Sequence, residues 1–103
     1  GGGMHGGLHR AELATVLVMQ GGPVRRGAVA EGPADLTDIV PTVLHILGVA
    51  PEGMEGRPLR AAFDATADAP PARETIDLPG GFVLEAMRAP SGRFYPTALR
   101  KVR

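Results

Sequence analysis

Asp38-Ile39-Val40-Pro41-Thr42-Val43-Leu44-His45-Ile46-Leu47-Gly48 is the stretch on which the reading of this chain turns. Asp38 is placed as an N-cap, and Pro41 falls in the first turn, where its missing N–H costs little. Ile39, Val40, Val43, Leu44, Ile46 and Leu47 recur at helical spacing, Gly48 stands at the C′ position, and Pro51 closes the exit. The spacing predicts a helix that is apolar around much of its circumference. Such a helix has to pack into something larger than one solvent-facing partner.

On the N-terminal side, Ala14-Thr15-Val16-Leu17-Val18-Met19 is a continuous apolar run rich in β-branched residues, stopped by Gln20-Gly21-Gly22-Pro23. It predicts a strand buried on both faces, as in a parallel or mixed sheet covered by helices. Residues 24–34 read as a loop with room for a short edge strand, and Leu8–Leu13 as a single helical turn. On the C-terminal side, residues 52–58 form a Gly- and Pro-punctuated loop with Met54 and Leu59 as anchors, and residues 59–63 suit another helical turn. Phe82–Ala89 and Arg93–Val102 flank the turn signal Pro90-Ser91-Gly92, which predicts a β-hairpin. Pro96 demotes its second arm to an edge strand or breaks it.

The predicted fold class is therefore α/β: buried strand, loop, apolar helix, then a C-terminal β-hairpin. Residues 1–63 form one piece of core, 64–79 a linker and 80–103 the hairpin tail. This order suits the tail of an α/β sandwich better than a complete fold. The chain opens on three glycines and is expected to be a fragment.

Composition supports a loop-rich but foldable chain. Its 15 glycines and 10 prolines are balanced by a comparable share of Leu, Ile, Val and Phe, and the formal net charge is zero. A chain of 103 residues buries only about two-thirds of its unfolded surface. With three Phe, one Tyr and no Trp its core is modest. Balanced charge argues against a nucleic-acid polymer as partner. Absence of Cys excludes a disulfide framework and a thiol nucleophile, and leaves the compartment open. The longest apolar run falls far short of the roughly 20 residues that span a bilayer, so no membrane span is expected.

Few residues suggest chemistry on their own. His5 and His9 are four apart, but Gly6 and Gly7 between them rule out the helical zinc motif. His5 within Met4-His5-Gly6-Gly7 reads either as a ligand in a loop that lets backbone approach an ion closely, or as a flexible terminus. His45 reads as a partly exposed helix histidine. Asp35 and Asp38 are potential ligands, although the N-cap role accounts for Asp38 and a loop for Asp35. The glycine loop lacks the context of a phosphate-binding fingerprint. The basic residues Arg88, Arg93, Arg100, Lys101 and Arg103 suit a phosphate-facing surface, or better a solvated edge that discourages aggregation.

Two pieces taken together suggest more. Met4-His5-Gly6-Gly7-Leu8, followed by Glu12, the apolar run and Gly21-Gly22-Pro23, is the first; Asp38–Gly48 followed by Pro51 and Gly53-Met54-Glu55-Gly56-Arg57-Pro58-Leu59 is the second. In that order and spacing they resemble the C-terminal part of the alkaline phosphatase superfamily. The nearest branch is the type I phosphodiesterase/nucleotide pyrophosphatase group, with sulfatases further off. The resemblance covers roughly Met4 to Phe63.

It implies an α/β/α sandwich and a site of two divalent metal ions, zinc in the phosphodiesterase branch, held by Asp and His ligands. One metal activates a Thr or Ser nucleophile, and both clamp the oxygens of an in-line displacement. Within that pattern His5 matches the late metal-ligand His, while the Asp-Ile-Val-Pro-Thr stretch and His45 are structural. The nucleophile and the other ligands belong upstream of Gly1. The resemblance thus implies a fragment of a metal-dependent hydrolase of phosphate diesters or related phospho- and sulfo-esters. Its partners are the missing N-terminal part and a phosphoester substrate. Alone the chain is expected to be inactive and at most a weak metal binder, because a catalytic zinc normally takes three protein ligands. The alternative is a small non-catalytic binding or scaffold module that retains the superfamily tail.

Overall fold

A computed structural model describes residues 8–102, leaving aside the side chains of Ala11 and Glu12. Among the described residues the fold is mixed α/β, with a three-stranded antiparallel sheet, one eight-residue helix and a four-residue helix. The chain divides into two compact units, Gly1–Leu17 with Ala72–Arg103, and Val18–Pro71.

The first unit is built on strands β1 (Ala72–Leu78), β2 (Phe82–Arg88) and β3 (Phe94–Lys101), in that spatial order. β2 and β3 are the predicted hairpin. Pro96 lies on an edge strand, opposite Ala86, beside a register shift between Glu85 and Ala86. A residue without an N–H is tolerated there. The short helix α1 (Arg10–Leu13) packs on β3, and the Leu99 N–H donates to the Leu8 carbonyl at 2.7 Å. Ala86, Tyr95 and Ala98 form the buried apolar centre.

β1 falls within residues 64–79, read from sequence as a linker. Pro70-Pro71 and Pro79-Gly80-Gly81 bracket it, and Thr75 and Ile76 supply β-branched residues, yet its three charges, Arg73, Glu74 and Asp77, obscured the strand. A second difference concerns the strand expected at Ala14–Met19. That run is not in a strand, and Val16, Leu17 and Val18 are exposed. An isolated apolar run has strand propensity but becomes a strand only by pairing. Among the described residues none supplies the missing ladder.

The second unit centres on helix α2 (Ile39–Ile46), entered through a 3-10 turn, Leu36–Asp38. Its end follows the expectation closely. Gly48 has φ +74°, the Gly48 N–H donates to the His45 carbonyl and the Val49 N–H to the Leu44 carbonyl. This is the paired pattern that closes a helix through a left-handed C′ glycine. Two further 3-10 turns follow, Arg60–Ala62 and Ala65–Ala67. The loop at 24–34 forms no strand; Arg25 bonds Ala62 and Ala61 carbonyls at 2.8 Å, and the Glu31 N–H reaches the Asp68 carboxylate.

Candidate functional site

The most constructed part of the second unit is a polar clasp at the start of α2. Asp38 is fully buried and Thr42, one turn later, nearly so, because residues four apart share a helix face. Asp38 Oδ1 accepts the Arg57 N–H at 2.9 Å, and Oδ2 accepts the Asp35 N–H at 2.9 Å. Thr42 Oγ1 donates to the Asp38 carbonyl at 2.7 Å and accepts the Leu59 N–H at 2.9 Å. Two side chains thus take up loop donors that would otherwise be buried without partners. Pro41 is buried beside them.

Asp38 therefore differs from its predicted role. Its carboxylate makes no cap hydrogen bond to α2. Instead Asp35 caps the preceding 3-10 turn, accepting from the Leu36 N–H at 2.7 Å, and the two aspartates form a reciprocal capping box. Both carboxylates are committed to backbone donors, which is scaffold chemistry.

Gly56 explains the closeness of the loop. A Cβ at this position would lie 1.7 Å from the Thr37 carbonyl oxygen and 2.3 Å from its carbon. No side chain fits against that backbone, so glycine is required for steric reasons without a left-handed conformation.

The predicted metal ligand, His5, lies outside the described residues, as do Met4, Gly6, Gly7 and Arg103. His45 is exposed on α2, with its ring 5.2 Å from that of Phe63 at a tilt of 39°, as suits a packing role. Among the described residues no three His, Asp or Glu side chains come together as a metal site. These residues do not by themselves fit the two-metal group that the resemblance implies. No helix among them is long and apolar enough to cross a membrane.

Of the basic C-terminal residues, Arg88, Arg93, Arg100 and Lys101 are spent within the sheet. Arg88 pairs with Glu74 at 2.7 Å and lies 5.3 Å from the Phe94 ring centre. This hydrogen-bonded pairing holds the Glu74 carboxyl below its ordinary range and raises the Arg88 guanidinium. Arg100 meets Glu85 at 3.3 Å, Arg93 lies over Tyr95 and Lys101 over Phe82. Thr42 and Gly56 stand inside the two motif pieces, but the sequence did not assign the contacts that each makes. The signal was their spacing, an Asp and a Thr four apart on an otherwise apolar helix and a glycine in the loop that follows.

Comparison with family models, with curated proteins and with solved structures found no match.

Proposed function

We propose that this chain is part of a metal-dependent hydrolase of phosphate diesters or related phospho- and sulfo-esters, to which it contributes His5 as one metal ligand and α2 with its clasp as scaffold. The chemistry rests on the resemblance of Met4–Leu8 and Asp38–Leu59 to the alkaline phosphatase superfamily. What supports the scaffold role is an inversion on α2. The helix buries Asp38 and Thr42 while Ile39, Val40, Val43 and Ile46 stay exposed. An apolar face of this kind is the sort that a larger α/β/α sandwich covers. One imidazole does not hold a catalytic zinc. The remaining ligands and the nucleophile are accordingly assigned to sequence preceding Gly1, and no chemical step is derived from the described residues.

The test is to express the reading frame containing this chain together with its upstream codons. Hydrolysis of bis(p-nitrophenyl) phosphate and p-nitrophenyl sulfate is then measured with and without chelator. Metal-dependent turnover is expected, with His5→Ala losing more than the roughly 10–100-fold that follows loss of a ligand's hydrogen-bond partner. Metal analysis should show reduced occupancy in that variant. A frame that begins at Met4 after a stop codon, or full metal content and turnover in His5→Ala, would overturn the reading. The non-catalytic module would then take its place.

A further inference from the structure

Among the described residues strand β1 is an edge of the sheet, and six of its seven residues are exposed. An unpaired edge presents a row of N–H and C=O groups that can template another strand. Natural edges are usually blunted by proline, a bulge or inward charge. β1 lacks the first two: residues 72–78 contain no Pro, and the pairing with β2 runs without a register shift from Ala72↔Arg88 to Leu78↔Phe82. Its charges, Arg73, Glu74 and Asp77, are of both signs and so can be complementary to a suitably placed partner strand.

We propose that β1 pairs with β1 of a second copy of this chain, antiparallel and about a two-fold axis at Thr75, joining two three-stranded sheets into one of six strands. The argument for the occupant is charge complementarity. Antiparallel partners directly opposite one another share a face, so a two-fold axis normal to the sheet must pass through a residue paired with itself. Centring on Glu74 opposes two carboxylates, which is unfavourable. Centring on Ile76 sets Asp77 against Thr75 and Arg73 against Pro79, with no ion pair. Centring on Thr75 sets Arg73 against Asp77 of the second copy, and by symmetry does so twice.

The charges are free to do this. Arg73 and Asp77 lie on one face, opposite the apolar Met87 and Val83 of β2. Among the described residues neither forms a salt bridge, whereas Glu74 is taken by Arg88 and Glu85 by Arg10 and Arg100. On the opposite face the same register sets Ala72 against Leu78 and Glu74 against Ile76 of the second copy. This extends the apolar strip of Ile76, Leu78 and Phe82, each a little over one-third exposed in the single chain.

Sedimentation equilibrium tests the pairing, from about 10 µM to about 1 mM because a strand-edge interface falls below standard size. The expected result is a mass rising with concentration from 10.7 kDa toward twice that value. R73D and D77R each place like charges opposite one another at two positions, and each should weaken association roughly tenfold or more. The double exchange R73D/D77R restores opposite charges and should restore the dimer. Neither residue forms a salt bridge within the described chain, so far-UV circular dichroism of all three variants should match the parent. Amide exchange gives a second readout: β1 amides gain protection as concentration rises, and lose it in each single variant. A monomer throughout the range, association indifferent to the single changes, or failure of the double exchange to rescue would each overturn the proposal.

Discussion

Replacing Gly56 by alanine should do more damage than one methyl group ordinarily does. The new Cβ would lie 1.7 Å from the Thr37 carbonyl oxygen, where ordinary contact begins at 3.4 Å. The obstacle is backbone at the mouth of α2, which cannot swing aside as a side-chain tip can. The loop must retreat by about 1.7 Å, and the 2.9 Å bonds from the Arg57 and Leu59 amides then stretch beyond hydrogen-bonding distance. A bond to a carboxylate contributes about 1.5–3 kcal/mol and a neutral one about 0.5–1.5 kcal/mol. The expected loss is about 3 kcal/mol, set against a total stability of roughly 5–15 kcal/mol for a chain of this size. Gly53 provides the contrast: it has φ +68° and open space around it. Gly53→Ala therefore meets only the left-handed penalty of about 1–2 kcal/mol. Urea titration read by circular dichroism gives the two losses, and native-state amide exchange locates them. If Gly56→Ala costs no more than Gly53→Ala, or leaves Arg57 and Leu59 amide protection unchanged, the steric account of the clasp is refuted.

The other expectations concern side chains. Asp38→Asn sets an amide NH2 against a backbone donor that now meets a carboxylate oxygen, and should cost about 2–3 kcal/mol by urea titration. Thr42→Val preserves shape but strands the Leu59 N–H, for about 1–3 kcal/mol and faster exchange of that amide. The Glu74 carboxyl is held below its ordinary value by Arg88, so its contribution to stability is complete above the unfolded value near 4.5. That contribution is lost as pH falls through the lower folded value. Carboxyl NMR titration should show Glu74 returning to the ordinary range in Arg88→Gln. Asp64 is held low chiefly by the Thr66 hydroxyl, and Thr66→Ala should raise it in the same experiment.

Helix α2 was legible because its signals are local. Apolar spacing, a proline in the first turn and Gly48 at C′ each act within a few residues, and so does the turn between β2 and β3. The role of Asp38 was misread because an N-cap and a buried acceptor call for the same residue. Which one it becomes depends on a loop returning nineteen positions later. The Ala14–Met19 run was misread because strand propensity says nothing about whether a partner strand is present. β1 failed in the opposite way: a polar stretch became a strand because β2 offered a ladder, with Glu74 and Arg88 paired across it. His5, on which the chemical reading depends, lies outside the described residues.

The inversion on α2 bears on why the helix sits where it does. Burying a carboxylate is unfavourable unless its oxygens are occupied, and Asp38 meets that condition with donors from two separate loops. Those donors come from Asp35 before the helix and Arg57 after it, so the carboxylate positions both segments at once. An apolar residue could fill the same volume but could not receive either amide, and the loop would lose the point that holds Gly56 against Thr37. Register here is set by polar groups, while the apolar side chains that usually set it remain at the surface. Val40 is 55% exposed and Leu47 68%. A helix organised this way is anchored through its polar side, while its apolar side stays exposed among the described residues.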